Sequence, residues 1–250
     1  MNIQDFISLQ RSFKFKTTKK NRKKMGEFYL SFEMSLAGFF FLFIIITNIA
    51  SGRFGYETFS DLDSNKKLTE ISKYPKQFKI GTVLILTEHV GIISVASMLF
   101  LAFYSYSILL AVVWTVSRVT EGFIQIYNKR SYWKLLNIAK QYSTTIGEDK
   151  DSLVDLAQNI LKSKNFAFTI AQILFSIGTL AYSILFVTYG VVPEIIGLFG
   201  IVSSILYGCG SGMTLVKPNF KVLWSIGGLL ILLFESVLGG WLLFYPLVVP

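Results

Sequence analysis

The run Ile108 to Asn128 is apolar over about the 20 residues that a helix needs to cross a bilayer, yet it is interrupted by Arg118 and Glu121. Three residues apart, these two side chains share one face of a helix and come within pairing distance. A charge at the centre of a membrane helix costs about 2.5–3.5 kcal/mol on insertion scales, so such residues turn toward a bundle interior and find a partner there. The chain is therefore expected to fold as several membrane helices around a polar interior.

Composition agrees. With 52% hydrophobic residues and a mean hydropathy of +0.54 over 250 residues, the chain is too evenly apolar for a soluble domain and reads as one membrane domain. Cys209 is the only cysteine, which excludes an intrachain disulfide and a thiolate-rich metal site. Of the 24 basic residues, eight precede Met25, in a basic tail over residues 1–31. Lys19, Lys20, Arg22, Lys23 and Lys24 lie nearest the first span, and anionic lipid head groups are their expected partner. Nucleic acid is not expected, because no nucleic-acid motif accompanies the charge. Nor is a signal peptide, since the first apolar run starts late and no small-residue cleavage site follows it.

Hydropathy and breakers place six spans at about 32–50, 79–104, 108–128, 166–189, 193–213 and 222–244, an all-α polytopic bundle occupying 32–245. Pro75 separates the polar loop 51–78 from the second span. Ser105 to Ser107 leaves room only for a tight turn, so spans two and three are expected to be antiparallel. The loop 129–165 carries two amphipathic patterns on either side of Gly147-Glu148-Asp149-Lys150. In the second, Leu153, Leu156, Ala157, Ile160 and Leu161 follow helical spacing, and Ser152 with Asp155 reads as a capping box. Both short helices are expected to lie on the membrane or cover the bundle mouth, because so short a stretch cannot bury a core alone. Pro193 suits the first turn of the fifth span. On that span Ser204, Gly208 and Gly212 recur every four residues, a small-residue seam for close helix packing.

Four spans contribute polar residues to the expected interior: Glu88, His89, Arg118, Glu121, Gln172 and Glu235. Adjacent positions on a helix point about 100° apart, so only one of Glu88 and His89 is expected to face inward. Three carboxylates against one arginine would leave a net negative interior in a low dielectric, so a proton or a bound cation is expected to balance it. This constellation suits a network that fixes helix register, or a bundle that binds or transports a small solute or a proton. Six spans are few for a carrier, for which a homodimer would be expected. An intramembrane enzyme is disfavoured, as the chain has no His-Glu-x-x-His motif, nucleophile elbow or phosphate-binding glycine loop. A lipid- or partner-interaction protein is a further class. No cofactor, metal or catalytic residue is predicted, and the small-molecule ligand is unspecified. The basic tail favours a cytoplasmic N-terminus in the plasma membrane, although the loops on the opposite side carry fifteen basic residues.

Several motifs resemble those of the membrane family catalogued as "domain of unknown function 4386". Ser117-Arg118-Val119-Thr120-Glu121 is similar to the Arg-x-x-Glu signature of that family's third helix. The stretch from Tyr189 through Pro193 and Gly197 to Gly200 resembles its turn before the fifth helix, where a proline precedes two glycines. Glu235 followed by Trp241-Leu242-Leu243 resembles its last helix, and the likeness runs from about Asn21 to Tyr245. Basic residues common in that family's turns after helices two and four are missing here, and Glu194 stands where one is usual. The resemblance implies the fold and the site candidates, and no activity.

Overall fold

The computed structural model describes residues 31–60, 62–217 and 222–248. Among them the chain is helical and has no strand. The helices are α1 (Ser31–Arg53), α2 (Ser64–Lys73), α3 (Pro75–Phe103), α4 (Ile108–Trp133), α5 (Leu135–Tyr142), α6 (Glu148–Tyr189), α7 (Glu194–Val216) and α8 (Val222–Val248). Six of them, all but α2 and α5, are long and apolar enough to cross a membrane. The expected lipid contacts at Lys19, Lys20, Arg22, Lys23 and Lys24 lie outside the described residues.

Local chemistry sets the helix ends. Pro75 occupies the first turn of α3, where its missing N–H costs nothing. Ser107 caps α4 by accepting from the Leu110 N–H at 3.4 Å, after the tight turn expected from the sequence. At the far end of α6, Gly190 adopts a left-handed conformation (φ 60°), and its N–H and that of Val191 return to the Phe186 carbonyl. Pro193 caps α7 one residue ahead of the first helical position.

The largest departure from the sequence reading is α6. Residues 148–165 do not form a separate surface helix; they continue unbroken into the fourth span as one helix of 42 residues. At 1.5 Å per residue this is about 63 Å, roughly twice the hydrocarbon thickness of a bilayer. Helix start at Gly147 (φ 71°) replaces the expected cap at Ser152, whose hydroxyl instead donates back to the Glu148 carbonyl at 3.3 Å. Glu148, Asp149 and Asp151 in the first turn complement the helix dipole, and no proline follows to break the helix. The outer part of α6 packs through Ala157 and Leu161 on Leu68 and Ile71 of α2 and on Leu135, Ile138 and Ala139 of α5. Within the polar loop 51–78, α2 is started by Asp63, which accepts from the Lys66 N–H at 3.0 Å.

In the bundle α6 is central, with 61% of its spanning window buried against 33–44% for the other spans. It packs on α4 and α7, and its Tyr182 ring meets Phe41 of α1 and Phe234 of α8. Helices α1 and α8 cross closely where Gly38 meets Gly239: a Cβ at Gly38 would stand 2.6 Å from the Gly239 carbonyl oxygen. Of the expected seam, Ser204 is buried and Gly208 faces α6, where an added Cβ would lie 2.9 Å from Ser176 Cβ. Gly212 meets nothing within 4 Å. The tight α7–α8 contact is made instead by Gly210 against the Trp224 backbone and by Gly227 against the Tyr207 backbone. Positions 208 and 210 point to different neighbours because each residue turns the helix by about 100°.

Candidate functional site

Arg118 joins three helices. Its Nη1 donates to Glu121 Oε2 at 2.8 Å within α4, and its Nη2 stands 3.7 Å from Glu235 Oε1 on α8. The guanidinium lies over the Phe175 ring of α6, 4.3 Å from the centroid. Gly178, three residues further along α6, makes room for the arginine stem: a Cβ there would come within 2.9 Å of Arg118 Cγ and 3.1 Å of Cδ.

Both Glu88 and His89 are buried, which corrects the expectation that only one would face inward. The cause is the placement of α3 between two neighbours. Toward α1, Asn48 Nδ2 donates to Glu88 Oε2 at 3.0 Å. Toward α4, the close approach at Gly122 brings a notional Cβ 3.4 Å from the His89 carbonyl oxygen. Two directions 100° apart are thus both covered. Neither ring nitrogen of His89 has a hydrogen-bond partner among the described residues.

All six polar residues singled out from the sequence line one cavity of ≈ 240 Å³, together with Asn48 and Gln125. Its apolar wall includes Tyr56, Phe168, Phe175 and Tyr207. Benzene-sized guests fit cavities of about 150 Å³, so this space admits a molecule of several heavy atoms. Toward the end of the bundle that carries the 104–107 turn, a packed cluster around Phe41, Trp114, Tyr182 and Phe234 closes it.

At the opposite end the loop between α1 and α2 forms a cap, with Tyr56 and Thr58 in the cavity wall. The cap is held from α6 and α2. Lys164 Nζ donates to the carbonyls of Glu57 (2.7 Å) and Thr58 (3.0 Å) and to Ser60 Oγ (2.9 Å), so all three ammonium protons are used. Asn165 exchanges two hydrogen bonds with the Ser60 backbone, each 2.9 Å long. Lys67 Nζ donates to the Gly55 carbonyl at 3.2 Å and pairs with Glu57 Oε1 at 3.0 Å. Burial, with Tyr132 and Glu88 nearby, holds the Tyr56 phenol well above its usual pKa, so it stays neutral. Lys129 donates to Gln125 Oε1 at 3.4 Å, and its ammonium lies 5.3 Å from the Tyr56 ring centroid.

Sequence reasoning missed Lys129, Lys164, Asn165 and Gln125, reading the first three as residues of an extramembrane loop. One signal was available: Glu121, Gln125 and Lys129 recur every four residues, so the polar face of α4 continues well past Arg118. Among the described residues, no group of three or more His, Cys, Asp or Glu side chains is placed to hold a metal ion.

A family model described as "Domain of unknown function (DUF4386)" matches residues 36–245, a stretch that contains the cavity and its cap. No curated protein and no solved structure matches the chain.

Proposed function

The chain belongs to the DUF4386 family, and from that premise we propose that this integral membrane protein binds a small solute or exchanges a proton in the cavity between its helices, as a carrier or a receptor would. One observation carries the reading: six polar residues from four spans converge on a single capped cavity, and their mutual pairing leaves some of their polar atoms without a partner. A purely structural network is expected to satisfy its own hydrogen bonds, and here His89 and Glu235 Oε1 do not. The N-terminus is assigned to the cytoplasmic side of the plasma membrane, with the tail on anionic lipid and the cap facing the opposite side. A carrier of six spans would work as a homodimer.

The test is a broad screen of ions and metabolites for stabilisation of the purified protein across pH, since a ligand that binds only the native state raises its unfolding temperature. A stabilising ligand whose effect vanishes in Glu235→Gln supports the reading. No stabilising compound, together with a Glu235→Gln protein of unchanged stability, would sink it.

A second reading, that the network fixes helix register, draws on one observation. Arg118 is clamped by Glu121, Phe175 and Gly178 at once, as a register pin between α4 and α6 would be.

A further inference from the structure

We infer that the cavity takes a small organic ammonium ion. The inference rests on the solute-binding reading above and names the class of solute.

Charge is the first argument. Glu88, Glu121 and Glu235 line the cavity together with a single guanidinium, so its wall holds more carboxyl groups than cations. Among the described residues the nearby ammonium groups of Lys129 and Lys164 stand outside that lining and are already engaged, Lys129 on Gln125 and Lys164 on Glu57, Thr58 and Ser60. A monovalent cation is favoured beside such a surplus of carboxyl groups in a medium of low dielectric. An anion is disfavoured by the state of Arg118, whose Nη1 is bonded to Glu121, whose Nη2 faces Glu235 and one of whose faces is covered by Phe175, so that an anion at its remaining Nε donor would stand beside two carboxyl groups.

Hydrogen bonding is the second argument. Glu235 Oε1 accepts no hydrogen bond, and Glu88 has no ion pair among the described residues. His89, only 4% exposed, offers two unpartnered nitrogens, one of which is an acceptor in neutral imidazole. The Arg118 Nε donor is also unpartnered, but it belongs to the guanidinium already committed to two carboxylates. A primary ammonium brings three donors and no acceptor, which complements this set.

Shape is the third. A cavity of ≈ 240 Å³ is larger than a bare alkali ion needs, and its aromatic wall, with Phe168 and Tyr207 beside the already engaged Tyr56 and Phe175, supplies apolar surface to cover an alkyl part.

Three compounds of matched shape and different charge test this: n-butylammonium, n-butanol and n-butyrate, each added to the full-length protein in detergent at constant ionic strength. Unfolding temperature and equilibrium dialysis are the readouts. Butylammonium alone is expected to stabilise the protein and to bind saturably. Glu88→Gln and Glu235→Gln, checked for monodispersity, should each weaken binding by about tenfold or more. In the unmutated protein, butylammonium should also protect Glu88 and Glu235 from a hydrophobic carbodiimide, which reads the site without a substitution. Binding of butyrate or butanol in place of butylammonium would overturn the ammonium inference and leave the solute-binding reading standing. Failure of all three would overturn it as well, and the broad screen described above then decides the solute-binding reading separately. Full binding retained in both glutamine variants, or no carbodiimide protection, would place the ammonium elsewhere and overturn the assignment.

Discussion

The ammonium of Lys164, on the central helix, lies 2.7 Å from the carbonyl oxygen of Glu57, 107 residues earlier in the chain. Lys164 is buried at 1% exposure, and this contact with its two companions ties the cap to the bundle. Lys164→Met keeps the stem and removes the donors, and should cost at least about 1.5–3 kcal/mol, the value of one hydrogen bond to a charged group. The cap should loosen with it. In a Cys209→Ser background, a cysteine introduced at Thr58 should react with a maleimide about tenfold or more faster once Lys164 is Met; an unchanged rate would show that the cap is held by other contacts.

The ion pair between Arg118 and Glu121 gives a second expectation. Arg118→Ala leaves buried carboxylates without their cation and should destabilise the protein by about 3–5 kcal/mol. Removing Glu121 as well should cost less than the sum of the two single changes, with a coupling of about 1 kcal/mol or more. Denaturation of the four members of the cycle in one detergent measures it. Strict additivity would mean that the two side chains do not interact.

Glycines separate by what surrounds them. Gly178→Ala would press a methyl against the Arg118 stem and the Trp114 carbonyl, and should cost about 1–3 kcal/mol as an overpacked site does. Gly212→Ala meets nothing within 4 Å and should be neutral or stabilising by up to about 1 kcal/mol, through helix propensity. Thermal denaturation of the two variants would show a clear split, and a loss at Gly212 equal to that at Gly178 would contradict the packing described.

Topology follows from the helix order. Single cysteines at Lys66 and Asp149 should label from one face of the membrane, and those at Ser105 and Glu194 from the other, all in the Cys209→Ser background. Joint labelling of Asp149 and Ser105 by an impermeant reagent would exclude the arrangement.

The spans and the inward polar residues were legible in the sequence because each follows from a local property. An apolar run of bilayer length must be a helix, and an ionisable residue inside it must turn inward, so Arg118, Glu121, Gln172 and Glu235 were foreseeable as one set. The burial of both Glu88 and His89 was not, because it depends on which helices flank α3. The cap was hidden for a stronger reason. Lys164 and Asn165 look like the polar end of a loop when averaged for hydropathy, and their partners at Glu57, Thr58 and Ser60 are over a hundred residues away. Nothing near a lysine in the sequence announces that three oxygens will surround it. The continuity of α6 was missed for the same reason, since a polar stretch that finds tertiary partners can stay helical.

Because α6 runs unbroken past the cap, Lys164 and Gln172 stand on one stiff rod about 12 Å apart along its axis, with no proline between them. The clamp on the cap and the wall of the cavity therefore share a single mechanical element. A tilt or rotation of that rod imposed from the cavity, at Gln172 or Phe175, must shift the anchor of Glu57 and Thr58 by a comparable amount. If the cavity binds a solute as proposed, occupancy inside the bundle and closure at its rim would be two readings of one coordinate, the attitude of α6, and a reporter on its protruding end at Asp149 would register events at Gln172 more than 30 Å away along the axis.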